Sequence, residues 1–166
     1  NEEVKNVLKA FELVAIKKPS SRLVIVGNGP LRETIEFEML QLALGSKVIF
    51  SGAIKNTDIP DYVSIADMFV NISSRTSGFE PNLLEAMAQK KVIIGSEVSP
   101  ISTIVEDGVE GFLIRPADKN TLANLIIKVF DGQLDSTEIG NRASEKVTKL
   151  FNLENISYKH FIGSAL

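Results

Sequence analysis

The segment Met68–Ala88, MFVNISSRTSGFEPNLLEAMA, passes from an apolar run through a polar loop into a helical pattern. Pro81 suits the first position of that helix, because its fixed φ is helical and its missing N–H would have had no intrahelical partner. The amides of Asn82 and Leu83 then lie in the first turn, at the positive end of the helix, where they can bind a phosphate or a sugar oxygen. The segment therefore predicts a strand, a binding loop and a helix in succession.

The loop and the first helical turn carry further candidate binding groups. The amides of Gly78 and Phe79 can face the same anion, and Gly78 lets a ligand approach the backbone closely. Glu85 lies on the helix face shared with Pro81 and Asn82, where its carboxylate can accept hydrogen bonds from both hydroxyls of a ribose. The alternative is that Glu85 is a solvated helix residue and the loop an ordinary connection. We expect the core side of the helix to hold Leu84, Met87 and Ala88.

Strands and helices alternate on both sides of this segment. Short apolar runs predict strands at 23–26, 48–50, 68–72, 92–94 and 112–114, and helical patterns fall at 4–18, 31–44, 59–66, 81–89, 101–106 and 122–130. This order is typical of a doubly wound α/β fold, with a parallel sheet covered by helices on both faces and with ligands at the carboxyl ends of the strands. We expect one domain over residues 1–166, closed by helices within about 137–162. Because the first element is a helix, we also expect a first strand upstream of Asn1.

Composition limits the possible partners. A net charge of −3 provides no broad cationic field for a nucleic acid, and the absence of cysteine excludes disulfides and thiolate metal sites. No apolar run approaches the roughly 20 residues of a membrane span. We expect a cytoplasmic protein. A last helix is predicted at about 153–162, and its tail is amphipathic through Tyr158, Lys159, Phe161 and Ile162. We expect this tail to be a plain packing helix, with peripheral membrane contact as the alternative.

The sequence resembles the family-4 retaining glycosyltransferases. The matching residues are Gly78-Phe79 and the run Leu84-Glu85-Ala86-Met87-Ala88, together with Val26-Gly27-Asn28-Gly29-Pro30-Leu31-Arg32, Phe50-Ser51-Gly52 and the stretch 104–118. These pieces occur in the family's order and on the predicted elements. The resemblance therefore covers nearly the whole chain.

This resemblance implies the Rossmann-like carboxyl-terminal half of a two-domain GT-B enzyme, which binds a nucleotide-sugar donor while the other half binds a glycan or lipid-linked acceptor. Glu85 would hold the ribose, the amides between Gly78 and Leu83 would bind diphosphate and sugar oxygens, and backbone near Gly52 and Ile54 would flank the base. No metal or other cofactor is implied. Positive charge and backbone dipoles would stabilise the leaving diphosphate.

The sequence departs from the family pattern at the loop. The family's first glutamate falls at Ser77, eight residues before Glu85, and Ser77 cannot carry its negative charge. Glu80 either reaches the donor sugar in its place or caps its own helix. The family's Cys-Gly after the helix is Gln89-Lys90 here, which we expect to be harmless. The family's phosphate-binding Gly-Arg-Leu turn and lysine would lie upstream of Asn1, so we expect this segment alone to be inactive.

Other candidates have weaker support. Asn28 and Gly29 lie in a turn after a strand, and they either contact the ligand or only shape the turn. Arg75 and Lys55 follow strands and can reach phosphate, with Arg75 favoured. We expect His160 to have a surface or packing role. Two other functions fit the same residues: a sugar-nucleotide-binding subunit without catalysis, and another GT-B enzyme such as a nucleotide-sugar epimerase.

Overall fold

A computed structural model describes residues 2–74 and 81–151 of the chain. The described strands are β1 (Leu23–Val26), β2 (Val48–Gly52), β3 (Met68–Asn71), β4 (Val92–Ser96) and β5 (Gly111–Ile114). The helices are α1 (Glu2–Lys17), α2 (Arg32–Gln41), α3 (Ile59–Ser64), α4 (Pro81–Ala88), α5 (Ile101–Ile104), α6 (Lys119–Phe130) and α7 (Ser136–Phe151), with a short 3₁₀ helix at Asn56–Asp58 before α3. The predicted alternation of strand and helix is confirmed.

The strands pair in parallel, in two groups. β1 pairs with β2, and β3, β4 and β5 form a second sheet in that order. The register of the second sheet places Asn71 opposite Gly95 at the carboxyl end of the β3–β4 ladder. Among the described residues, no ladder joins β1 to β3. In the described ladders, each of these two strands therefore pairs on one side only.

A single apolar core nevertheless spans both sheets on one side. It contains Leu8 and Val14 of α1, Val48 of β2, Ile94 of β4 and Leu122 of α6, each nearly or fully buried. Helix α1 packs closely against α6. A second cluster on the other side of the β3–β5 sheet is formed mainly by α4, α5 and α7, so helices cover both faces of that sheet, as predicted.

The expectation that every strand is buried on both faces is wrong for the first sheet. All five residues of β4 are buried, but β1 alternates, with Val24 and Val26 exposed, and Ile49 of β2 is also exposed. These side chains share the face opposite the one on which α1 and α2 pack. A continuous apolar run does not distinguish a strand buried on both faces from one buried on a single face, because burial depends on which helices cross each strand.

Several predicted helices end earlier or begin earlier than their apolar pattern suggests. α2 stops at Gln41, where Ala43 with φ of 54° ends the helical backbone. α6 begins at Lys119, three residues before the first apolar position, because Asp118 caps it. The predicted last helix at about 153–162 and the amphipathic tail lie outside the described residues. In the described part of the chain, no helix has the length and apolarity to cross a bilayer.

Candidate functional site

The carboxyl ends of the parallel strands bring the predicted site residues to one edge of the fold. Asn28 and Gly29 follow β1, Gly52 ends β2 and Ile54 follows it, while α4 begins after the loop that leaves β3. In doubly wound folds, ligands bind outside this edge, where crossovers to the two faces diverge. The structure therefore places the described candidates on the edge that the fold uses for binding.

Glu85 lies one turn into α4, and its side chain is half-buried. Its carboxylate accepts a hydrogen bond of 2.7 Å from the side-chain nitrogen of Gln89. The same Gln89 nitrogen donates to the carbonyl oxygen of Pro60 in α3, at 3.0 Å. Glu85 is therefore neither buried in the core nor held in an ion pair by the described residues, and Gln89 fixes its rotamer from the side of α3.

The residues of the first turn of α4 differ in their exposure at this edge. Pro81 and Asn82 are exposed, whereas the side chain of Leu83 is completely buried. Leu83 can therefore contribute only its amide to a ligand, which is the role predicted for it. The first N–H groups of an α-helix have no intrahelical acceptor and Pro81 has no N–H, so Asn82 and Leu83 carry the donors that this turn offers.

The predicted core face of α4 needs one correction. Met87 is buried as expected and Leu84 is partly buried, but Ala88 is exposed, and the buried positions are Leu83, Ala86 and Met87. These three residues lie at helical spacings of three and four, so they form one stripe. Ala88 lies one position past that stripe and faces away from it.

The chain leaves β3 through a set of hydrogen bonds that sequence reasoning missed. The hydroxyl of Ser96 accepts from the N–H of Ser73 at 2.9 Å and donates to its carbonyl oxygen at 2.6 Å. The carboxylate of Glu3 accepts the N–H of Ser74 at 2.7 Å and also bonds its hydroxyl. Serines in a polar loop carry no sequence signal for such partners, because the partners lie far along the chain.

The turns after β1 and β2 meet at the same edge. The N–H of Gly27 donates to the carbonyl oxygen of Gly52 at 3.1 Å, and the hydroxyl of Ser51 donates to that oxygen at 2.9 Å. Gly27 and Gly52 both have positive φ, 120° and 73°, a conformation that favours glycine.

Asn28 and Gly29 are exposed. The carbonyl oxygen of Gly29 accepts the N–H of Arg32 at 3.1 Å, so this segment forms the turn that starts α2.

Arg32 adds a cation to this part of the edge. Its guanidinium lies 5.5 Å from the centre of the Phe50 ring, and its Nε donates to Glu36 at 2.7 Å. A side chain at Gly52 would touch the guanidinium, with 3.4 Å between an added Cβ and an η nitrogen of Arg32. The sequence motif that contains Arg32 does not show where its guanidinium lies, so this position could not be predicted.

The remaining loop candidates, Arg75, Ser77, Gly78, Phe79 and Glu80, lie outside the described residues, as does His160. Lys55 is exposed beside the 3₁₀ helix. Two depressions in the described surface lie elsewhere: one of about 270 Å³ between Lys90 and α7, and one of about 400 Å³ beside α5 and Lys146. None of the described residues that line these two depressions is a candidate site residue.

The acids in the described part of the chain do not gather as metal ligands. Within residues 2–74 and 81–151, no group of three or more His, Asp or Glu side chains is placed to hold a metal ion. The contacts of Glu85 are instead hydrogen-bonding ones, since its described partner is the amide of Gln89. Such a carboxylate is suited to accept hydroxyl donors.

Comparison with known proteins connects this architecture to a family. The family model for glycosyl transferases group 1 matches residues 1–146. The chain is 29% identical over 153 residues to N-acetyl-alpha-D-glucosaminyl L-malate synthase of Bacillus anthracis, covering 92% of this chain and 39% of that protein. It is 26% identical over 159 residues to mannosylfructose-phosphate synthase of Agrobacterium fabrum, covering 91% of this chain and 35% of that protein. The chain thus spans less than half the length of these relatives.

Solved structures show the same fold. The Anabaena protein Alr3699/HepE, crystallised with UDP-glucose, superimposes with a TM-score of 0.86 at 23% identity, covering 97% of this chain and 44% of that one. The carboxyl-terminal domain of a group 1 glycosyl transferase (LpcC) from Francisella tularensis superimposes with a TM-score of 0.77 at 26% identity, covering 87% of this chain and 77% of that one. The family model spans most of this chain, and the fold is that of a solved group 1 domain. The chain therefore belongs to the glycosyl transferases group 1 family.

Proposed function

We propose that the protein containing this chain is a family-4 glycosyltransferase that moves a sugar from a nucleoside diphosphate sugar to a glycan or lipid-linked acceptor with retention of configuration. This domain binds the donor, and the acceptor is bound mainly by a second domain. Membership of the group 1 family supports the class of reaction. The observation that carries the proposal is the position of Glu85, half-buried one turn into the helix at the carboxyl edge and oriented by Gln89.

In the proposed reaction, the bond between the anomeric carbon and the diphosphate oxygen breaks, and an acceptor hydroxyl oxygen bonds to that carbon while its proton passes to the departing diphosphate. The leaving nucleoside diphosphate gains negative charge as the bond breaks. The free amides in the first turn of α4 lie where they can stabilise that charge, at the positive end of the helix. The carboxylate of Glu85 accepts the ribose hydroxyls and so fixes the donor against that turn.

We assign binding of the nucleotide base to the edge formed by β1 and β2. Backbone at Gly52 and Ile54 lies at the end of β2, beside the junction with Gly27. Arg75, Ser77, Gly78, Phe79 and Glu80 complete the proposal as loop contacts, with Glu80 or Ser77 nearest the reacting sugar. The reaction is proposed to need no metal, because amides and cations neutralise the diphosphate.

The domain assignment has separate support from the sheet. In the ladders between described residues, β1 and β3 each pair on one side only, and both strands pack on the core to which α1 and α6 contribute. A parallel strand between them, followed by α1 and then β1, would form right-handed crossovers and a continuous six-stranded order. We propose that the full-length protein supplies this strand.

Isothermal titration of the full-length protein with UDP, GDP and ADP tests the donor role. Loss of hydrogen bonds to a charged group costs about 1.5–3 kcal/mol, so Glu85→Ala should weaken binding of the preferred nucleotide by roughly 10- to 100-fold. Glu12→Ala, another half-buried helical glutamate, serves as the control and should leave affinity unchanged. Equal affinity of wild type and Glu85→Ala would remove the ribose role.

Incubation with UDP-glucose separates transfer from the alternatives. An epimerase converts the donor without any acceptor, and a binding subunit leaves the donor intact even when acceptors are present. A transferase releases UDP only as a glycoside or free sugar forms. Proton NMR of the new glycoside then gives the anomeric configuration, and an inverted product would contradict the retaining assignment.

A further inference from the structure

The guanidinium of Arg32 lies at the carboxyl edge of the first sheet, where β1 and β2 end. Arg32 is the first residue of α2, and its guanidinium carbon lies 5.5 Å from the centre of the Phe50 ring on β2. A Cβ added to Gly52, the last residue of β2, would lie 3.4 Å from one η nitrogen of Arg32. The guanidinium therefore borders the backbone to which we assign the nucleotide base.

One edge of this guanidinium is held by the protein, and the opposite edge offers hydrogen-bond donors. Nε of Arg32 donates to the carboxylate of Glu36 at 2.7 Å. The two η nitrogens form the edge opposite Nε, and they carry N–H donors and no acceptor. Within residues 2–74 and 81–151, the hydrogen bonds of the guanidinium involve Nε alone. The side chain is 37% exposed, so a ligand can reach the η nitrogens.

The stability of α2 does not account for an arginine at this position. The amino terminus of a helix is its positive end, where a cation is unfavourable. The pair with Glu36 joins partly exposed side chains four residues apart, with the acid on the carboxyl-terminal side, which is the weaker order for such a pair. Its contacts with Phe50 and Glu36 instead hold the guanidinium against β2, with an η nitrogen beside Gly52.

We propose that Arg32 is a specificity-determining residue, whose η nitrogens donate a hydrogen bond to a carbonyl oxygen of the donor's base. This inference rests on the proposed function, because it needs a nucleotide base beside Gly52 and Ile54. Uracil and guanine present such an oxygen, O4 or O6, where cytosine and adenine present an amino group. An amino group would face the N–H donors of Arg32 without an acceptor between them, so the site selects uracil or guanine.

Two pairs of nucleotides separate this role from that of a general positive charge. UDP and CDP share the ribose and the diphosphate and differ at the edge of the pyrimidine, and GDP and ADP differ at the edge of the purine. A charge that only attracted the diphosphate would act equally on all four nucleotides. A hydrogen bond to the base instead changes the ratio of affinities within a pair.

The experiment is isothermal titration of the full-length protein with UDP, CDP, GDP and ADP. Arg32→Ala removes the donors, and Arg32→Gln replaces them with an amide that both donates and accepts. Arg22→Ala is the matched control, because it removes the same charge beside the amino end of β1. The guanidinium of Arg22 donates there to the carbonyl oxygens of Ser20 and Ser21.

We expect wild type to bind UDP more tightly than CDP, or GDP more tightly than ADP, by about tenfold or more. In Arg32→Ala and Arg32→Gln, the preferred nucleotide should lose about tenfold in affinity. The other member of its pair should lose little, so the two affinities become nearly equal. Arg22→Ala should keep the wild-type affinities and their ratio.

Glu85→Ala, titrated in parallel, distinguishes failure of this inference from failure of the proposed function. A weaker Glu85→Ala together with an unchanged ratio in Arg32→Ala overturns the base contact and leaves the donor site in place. Equal losses for all four nucleotides in the Arg32 variants, or a wild type that prefers CDP or ADP, also overturn it. If wild type binds none of the four nucleotides, the proposed function fails and the inference fails with it.

Discussion

Gln89 donates a hydrogen bond of 2.7 Å to the carboxylate of Glu85, one turn earlier on α4. The same nitrogen reaches the carbonyl oxygen of Pro60 at 3.0 Å, so one amide links the candidate ribose-binding acid to α3. From the sequence, Gln89 is expected to be a harmless change at a helix end. Its position instead makes it the group that orients the carboxylate of Glu85. The bond to the Pro60 carbonyl oxygen holds the Gln89 amide in place, so the amide does not move with the carboxylate.

Gln89→Ala should therefore weaken nucleoside diphosphate binding by about two- to tenfold, the value of one net hydrogen bond. In the Glu85→Ala background the same change should cost almost nothing, because the acid it orients is absent. Calorimetric titration of the single and double variants measures this coupling. Gln41→Ala, an exposed glutamine at the end of α2, is the matched control. Additive losses in the double variant would show that Gln89 acts independently of Glu85.

Lys90→Gly should stabilise the protein. Lys90 has φ of 59° just after α4 ends, and a residue with a Cβ pays about 1 kcal/mol or more in that region, whereas glycine does not. The substitution of Lys for the family's glycine is therefore not neutral for the backbone, contrary to the expectation from sequence. We expect a gain of about 0.5–1 kcal/mol, read as a rise in the thermal midpoint.

Two further glycine substitutions check that explanation. Ala43→Gly, at φ of 54°, should also stabilise, while Ala88→Gly within helical backbone should destabilise. Equal effects at all three positions would argue against backbone conformation as the cause.

Gly140→Ala should destabilise the protein by about 1–3 kcal/mol, the usual cost of overpacking. Gly140 is buried in α7, and an added Cβ would press against the carbonyl oxygen of Lys90, a backbone atom that cannot turn aside. At an exposed helical position, replacing Gly by Ala would stabilise the protein by about 1 kcal/mol. The sign of the change in unfolding free energy therefore reports the contact between α7 and Lys90 at the end of α4. Urea unfolding measures the effect, and Glu145→Ala on the exposed side of α7 provides the comparison. A stabilised Gly140→Ala variant would mean that the two helices are further apart.

Asp118 should make stability depend on acid pH. Hydrogen bonds from the backbone N–H and the hydroxyl of Thr121 lower the pKa of the Asp118 carboxyl below its ordinary value. A lowered pKa in the folded state means that the ionised form stabilises the fold above the ordinary carboxyl pKa of about 3.9, and that this contribution is lost as pH falls through the folded pKa. Asp118→Asn keeps a capping side chain but removes the charge.

Thermal midpoints measured between pH 7 and pH 3 test this assignment. Asp118→Asn should melt below wild type near neutral pH, and the two curves should converge as the pH falls below about 4. Asp61→Asn, at another exposed aspartate, controls for general charge effects. A constant difference across the whole range would show that the charge of Asp118 plays no part.

The sequence predicted the elements well, because strand and helix leave different periodicities in the chain. Burial of individual faces was harder to predict. Val24 and Val26 look like core residues and are exposed, since no described helix crosses that face of β1. Ala88 is apolar but lies outside the stripe that Leu83, Ala86 and Met87 form. These outcomes depend on which elements pack together, and a local pattern does not carry that information.

The sequence alone determined the order of strands and helices, the helix start at Pro81 and the acid one turn later, because propensity, capping and periodicity act between near neighbours. Only the tertiary structure decided that Gln89 orients Glu85 from α3, that Ser96 holds Ser73, and that Arg32 lies beside Gly52. Each of these contacts joins residues that come together through the parallel crossovers or through a chosen rotamer. Every polar segment offers similar donors and acceptors, so the sequence does not show which of them are partners. The packing of the elements decides that.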